Sequence, residues 1–263
     1  MSVLGWIVSF TLLGGALSAL AASLFLVAPE SVRSRVLPHL VSFATGALLG
    51  AALLGLLPHA IERVGISGTH GIGLSLLAGL LVFFVLEKLV LWRHCHQDVC
   101  EGHVPHVHAT DAHRDAASAS LILIGDGFHN VLDGVLIAAA FMTDVHLGVV
   151  TALAVIAHEI PQEVGDLAIL LQGGMSRLRA LTLNLLTSLT SVVGGIAAYF
   201  ALGPVEQALP YALSLAAASF LYIAVADLIP GLHRRVDAGS GVRQFVFIVL
   251  GVAVIYVSHS LAH

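Results

Sequence analysis

An all-α fold with eight membrane-spanning helices is what this sequence predicts, and three observations predict it. Of its 263 residues, 58% are hydrophobic and only 10% charged, with a mean hydropathy of +0.97. A soluble domain of this size carries roughly a quarter of its residues charged. Apolar runs that match the roughly 20 residues needed to cross a bilayer core recur along the whole chain. The positive charges fall in alternate connections, as retention of Lys and Arg on the cytoplasmic side requires.

The runs lie at 4–27, 38–60, 71–92, 118–141, 147–171, 179–202, 209–232 and 243–262. The first precedes any Lys or Arg, the earliest being Arg33, so it lacks the charged start of a cleaved signal peptide and is read as a retained span. Pro29 and Pro38 frame the turn into the second run, Gly65 and Gly68 sit in the following connection, and Gly173 and Gly174 sit in the fifth. The sixth run carries Asn184, Thr187, Ser188, Thr190 and Ser191, polar enough to mark an interior helix. One connection differs from the rest, because 93–117 is polar and rich in histidine.

Arg33, Arg35, Lys88, Arg93, Arg114, Arg177, Arg179, Arg234, Arg235 and Arg243 belong to the odd-numbered connections, and Arg63 alone to an even one. The odd connections are therefore expected in the cytoplasm and both termini outside it. The domain expectation is one eight-span unit, 1–263, with a cytoplasmic histidine-rich loop at 93–117. No basic stripe with interleaved aromatics exists to hold nucleic acid, and two cysteines, Cys95 and Cys100, make no disulfide framework.

Ionisable groups at membrane depth are costly and mark function by default. They crowd into the fourth and fifth runs. In the fourth, His129 and Asp133 are four apart and share a helical face, with Asn130 on the same side. In the fifth, His158 with Gln162 and Glu159 with Glu163 repeat that spacing, and Asp166 follows. Two antiparallel neighbours joined by 142–146 can face each other with imidazole, carboxylate and amide groups, a set suited to a borderline divalent metal. Pro161 inside this group lacks an N–H and frees the Ala157 carbonyl, so a broken ladder lining a cavity is expected there.

At these residues the chain resembles the ZIP family of metal transporters. His129-Asn130-Val131-Leu132-Asp133-Gly134 is similar to the family's HNxxDG, and His158-Glu159-Ile160-Pro161-Gln162-Glu163-Val164-Gly165-Asp166 to the HEIPHELGD of its zinc-importing branch. Leu57-Pro58-His59-Ala60, Glu87-Lys88 and the stretch from Tyr222 to Pro230 extend the match. The resemblance implies an eight-span carrier that moves zinc toward the cytoplasm by alternating access, one helix bundle sliding against another. It implies one metal position at His129, Asp133, His158 and Gln162, and a second at Asn130, Asp133 and Glu159, with Asp133 shared. It places His59 and Asp227 along the path. Asp126, Glu163 and Asp166 are read as supporting partners or proton carriers, with Glu163 on that path.

Gln162 departs from the pattern, since the zinc-importing branch has histidine there. A neutral amide oxygen broadens the expected cargo from zinc to iron, manganese or cadmium. No prosthetic group is expected. The loop carries His94, Cys95, His96, Cys100, His103, His106 and His108, and is read as a cytoplasmic metal acceptor or sensor, where thiols stay reduced. The rival reading is an intramembrane zinc protease, because His158-Glu159-Ile160-Pro161-Gln162 nearly spells HExxH. Its second histidine is missing, so a transporter rather than an enzyme is expected. Divalent metal ions and the lipid bilayer are the expected partners, nucleic acid is not, and a homodimer is compatible. A bacterial inner membrane is the preferred location.

Overall fold

The computed structural model describes residues 1–94, 112–172, 174–233 and 238–260, and among these the ordered elements are all helical. The first, α1, spans Val3–Val27. A second rod runs from α2 (Glu30–Gly50) through a π-helical turn at Ala51–Leu56 into α3 (Leu57–His94). Next come α4 (Ala112–Thr143), α5 (Val145–Gln172), and the pair α6 (Arg177–Ser188) and α7 (Thr190–Leu202). A third rod runs from α8 (Leu209–Tyr222) through a π-helical turn at Ile223–Leu228 into α9 (Ile229–His233), and α10 spans Ala238–Ser260.

Among the described residues, seven apolar helical stretches are long enough to cross a membrane, and one of them, Arg35–Leu86, is 52 residues long. At 1.5 Å per residue that stretch is more than twice as long as a bilayer core is thick. It is divided at Gly65, whose φ of 68° and ψ of −177° leave helical space. Only glycine populates that region readily. Counted on either side of this glycine, the spans are the eight that the apolar runs predict.

The expected boundaries need two corrections. The helix α4 begins at Ala112, so 112–117 belongs to a helix and not to the loop, as its Ala-rich sequence favours. Within the sixth run the helix is interrupted at Leu189. Its hydroxyls return to the backbone there: Thr187 donates to the Asn184 carbonyl (2.8 Å) and Thr190 to the Thr187 carbonyl (2.6 Å), with Ser188 Oγ 2.9 Å from the same Asn184 carbonyl. Such back-bonding bends helices. Of the loop ligands, His94 ends α3, while Cys95, His96, Cys100, His103, His106 and His108 lie outside the described residues.

Two groups of helices pack side by side. In one, α1, α4 and α6 each pack against both α5 and α7; in the other, α2 lies along α10 and α3 along α8. Without a hydrophobic driving force between helices in lipid, close backbone approach is what holds such groups. A Cβ on Gly134 would overlap the Ser191 carbonyl, and one on Gly194 the Val131 carbonyl, so α4 and α7 meet backbone to backbone. The groups touch each other chiefly where α5 meets α2 and where α4 meets α8.

Candidate metal site

The site depends on a tight turn between α4 and α5. Asp144 separates them and accepts at Oδ1 from the backbone N–H groups of His146 (2.9 Å) and Leu147 (3.0 Å), capping α5. Partial burial would raise the Asp144 carboxyl, but the N–H groups of Leu147 and His146, with the imidazoles of His146 and His59, outweigh it and hold the group below the ordinary aspartate value. Arg63 donates to the Thr143 carbonyl (2.9 Å), tying the turn to the start of α3. Phe141 beneath it packs with Trp6 and Phe10, with ring centroids at 6.2 and 5.3 Å. The register of the two antiparallel helices is thus fixed from one end.

Below the turn, four side chains converge. One ligand atom from each of His129, Asp133, His158 and Glu159 lies within 4.8 Å of the others. His158 Nε2 is 3.2 Å from Asp133 Oδ2 and 3.5 Å from Glu159 Oε1. His129 Nε2 is 3.3 Å from Glu159 Oε1, 3.8 Å from Asp133 Oδ2 and 3.3 Å from His158 Nε2. Asp133, His158 and Glu159 are at most 3% exposed. His158 Nδ1 faces the Ala154 carbonyl at 3.1 Å. A carbonyl only accepts, so Nδ1 carries the proton and the Nε2 lone pair turns to the cluster, the second-shell arrangement that orients a metal-binding imidazole.

A second set shares one member with the first. Ligand atoms of Asp126, Glu159 and Glu163 also lie within 4.8 Å of one another. Glu159 is therefore common to both sets. Asn130 is buried beside them and donates to Asp126 Oδ1 (2.9 Å), and Ser188 of α6 donates to Glu163.

Gln162 shares a cavity with one member of the cluster. It lines a pocket of about 230 Å³ with Val41, His158, Pro161, Ile223, Asp227 and Leu228. The pocket thus lies between the two helix groups, with His158 as the residue common to pocket and cluster. The α5 helix continues through Pro161, whose missing N–H leaves the Ala157 carbonyl without its ladder donor. The irregular backbone lies opposite, in the π turn that carries Asp227. His59 follows the other π turn, its Nδ1 3.0 Å from the Gly55 carbonyl.

Sequence spacing finds the imidazole and carboxylate cluster, with Asp126 as a supporting partner, but misses Ser188 and Asn184 as its neighbours. The available signal is the hydroxyl-rich run of the sixth span.

The family model described as ZIP Zinc transporter matches residues 93–259. Zinc transporter zipt-7.1 of Caenorhabditis briggsae is 30% identical over 96% of this chain and 78% of its own length. Zinc transporter ZIP13 of Pongo abelii is 31% identical over 83% of this chain and 65% of its own, and human Zinc transporter ZIP4 31% over 79% and 40%. These relatives are animal proteins and give no support to a bacterial membrane, and they give none to a protease. A multi-pass, all-helical chain with both central motifs and these relatives belongs to the ZIP family of zinc transporters.

Proposed function

We propose that this chain carries a divalent transition metal, zinc first, across the membrane toward the side of its odd-numbered connections. His129, Asp133, His158 and Glu159 are the binding site for the cargo. The observation that carries the reading is the convergence of those four ligand atoms within 4.8 Å at membrane depth. Two neutral imidazoles and two carboxylates, with no Lys or Arg among the described residues paired to them, would leave buried charge uncompensated, and a divalent ion removes that cost.

Asn130 holds Asp126 in place at the edge of the site. Gln162 meets the cargo on its way through the pocket beside Asp227, and its neutral oxygen leaves room for iron, manganese or cadmium. His59 stands on the access side near the turn, while Glu163 and Asp227 stand toward the cytoplasm. Both termini are extracytoplasmic by the distribution of Lys and Arg. On the cytoplasmic side, His94, Cys95, His96, Cys100, His103, His106 and His108 receive the metal. Movement of one helix group against the other exposes the site to each side in turn.

Radiometal uptake in proteoliposomes tests the reading. His129→Ala and His158→Ala should each reduce zinc uptake to the level of empty vesicles. Uptake unchanged in both variants would sink the assignment of the site. Uptake with inverted orientation of the charged loops would instead overturn the direction.

A further inference from the structure

We infer that the Thr151 hydroxyl of α5 is an oxygen contact for the inbound cation, met between the extracytoplasmic face and the cluster of His129, Asp133, His158 and Glu159. The inference rests on the transport reading above, and its test keeps the two apart.

The placement follows from the helix. Thr151 lies in α5 seven residues before His158, two turns or about 10 Å along the axis. Leu147, Thr151, Ala154 and His158 recur at intervals of three and four, so they share one face. That face meets the other helix group at both ends. A Cβ on Gly55, in the first π turn, would lie 3.4 Å from the Leu147 side chain, and the Gly55 carbonyl faces His59. The His158 ring lies edge-on to Phe220 of α8, with centroids 6.1 Å apart. Thr151 therefore stands at the seam between the two groups, between the outer turn and the metal ligands.

Its surroundings there are apolar. Leu56, Leu147, Ala154 and Phe220 belong to one buried cluster, and Thr151 itself is 0% exposed. Its Oγ1 has no hydrogen-bond partner among the described residues. Two other buried threonines are satisfied locally: Thr11 donates to the Ile7 carbonyl and Thr45 to the Val41 carbonyl, each at 2.8 Å. The corresponding acceptor for Thr151 is the Leu147 carbonyl, and the hydroxyl does not use it. A buried hydroxyl without a partner is destabilising, and a valine side chain would fill the same space without that cost. A partner present only in transit accounts for the oxygen.

The cargo is such a partner. Beside His158 on the cytoplasmic side lies the pocket with Gln162 and Asp227, whereas on the Thr151 side the two groups are closed against each other. When they part on that side, the α5 face presents one oxygen between Leu147 and the imidazole of His158. Protein oxygens replace the waters of an ion in stages, and each contact must be weak enough to release it. A single neutral hydroxyl meets that condition. It eases entry and leaves equilibrium affinity at the histidines unchanged.

The test compares Thr151→Val and Thr151→Ser in the full chain by zinc uptake in proteoliposomes, equilibrium zinc binding and melting temperature. Thr151→Val should slow uptake about tenfold, the size of a lost hydrogen-bonding oxygen beside a charge. Its zinc binding should be unchanged and its melting temperature no lower than that of wild type, since only an unpartnered hydroxyl is removed. Thr151→Ser should restore most of the rate. Wild-type uptake in Thr151→Val, or slow uptake that Thr151→Ser does not restore, overturns the inference. A lowered melting temperature in Thr151→Val also overturns it, because the hydroxyl would then be structural. His158→Ala tests the underlying site separately: undiminished zinc binding in that variant strikes the transport site, whatever Thr151 does. If Thr151→Val does not fold, Thr151→Cys in a chain carrying Cys95→Ser and Cys100→Ser decides. A membrane-impermeant thiol reagent applied from the extracytoplasmic side should modify it, and zinc should slow the modification. Modification that is absent, or indifferent to zinc, overturns the inference.

Discussion

The α4–α5 pair and the two proline-containing rods that flank it divide the work of the molecule differently. The pair concentrates charge on regular backbone: α5 stays helical even through Pro161. The rods do the reverse. Each carries a six-residue π turn, Ala51–Leu56 and Ile223–Leu228, followed two residues later by a proline, Pro58 or Pro230. In both, the residue just after the turn donates to the carbonyl five residues back, Leu57 to Ala52 and Ile229 to Ala224. A proline has no N–H for the carbonyl four before it, and the wider turn absorbs the mismatch. Rigid helices hold the ligands at fixed distances, while the irregular backbone lies beside them, where one helix group meets the other.

The comparison can be broken by removing the prolines. Pro58→Ala or Pro230→Ala would allow a regular ladder, and loss of the extra residue would rotate one half of the rod against the other by about 100°. Uptake should slow several-fold in each variant, with zinc affinity at the histidines unchanged. Pro230→Ala should be the worse, because Asp227 lies inside its π turn and lines the pocket, whereas His59 follows its own. Equal rates in both variants and wild type would mean that the π turns have no part in movement.

A subtler change sharpens the contrast from the side of the pair. Gln162→His adds an imidazole to the pocket wall beside His158. Zinc should then compete better against manganese in uptake, since imidazole favours zinc. A selectivity ratio that does not move would show that the cargo passes Gln162 without contact.

How much of this was legible in the sequence follows from the same division. Charges in a membrane segment are conspicuous, and four-residue spacing places His129 with Asp133 on one face before any coordinates are seen. The alternation of Lys and Arg supports the span count. Backbone irregularity leaves a weaker trace. Pro161, Pro58 and Pro230 look alike as letters, yet one is accommodated in a continuous helix and two follow π turns. The outcome depends on which neighbouring helix covers the freed carbonyl, and packing of that kind has no local signature. Sharing of Glu159 between two sets was equally hidden, because it requires Glu163 and Asp126 to meet across helices. Asn184 reads as a mild polar residue until its lack of partners is visible.

Gly65 marks the limit between the second and third spans, and its test is energetic. Its φ of 68° with ψ of −177° is nearly closed to residues with a Cβ. Nothing lies within 4 Å of where that Cβ would be, so strain and not crowding decides. Gly65→Ala should cost about 1–3 kcal/mol, read as a lowered melting temperature in detergent, with metal binding retained. An unchanged melting temperature would mean that the two spans tolerate a different junction.

The smallest expected effect belongs to the turn that sets the register of the pair. Asp144→Ala removes the cap of α5 and should cost about 1 kcal/mol at neutral pH. The sign with pH follows from the lowered carboxyl of Asp144, whose partial burial is outweighed by the N–H groups of Leu147 and His146. A carboxylate lowered by folding adds stability that is fully present above its unfolded value of about 3.9 and is lost as the pH falls through its folded value. The gap in melting temperature between wild type and Asp144→Ala should therefore be constant from pH 6 to 8 as far as this residue sets it, and should close on acidification below about 4. Asp144→Asn keeps an oxygen acceptor without the charge, so its gap should be smaller and independent of pH across the acidic range. A gap for Asp144→Ala that widens in acid would mean that the turn is held by the packing of Phe141 against Trp6 and Phe10, and that the carboxylate contributes nothing to the register of the metal ligands.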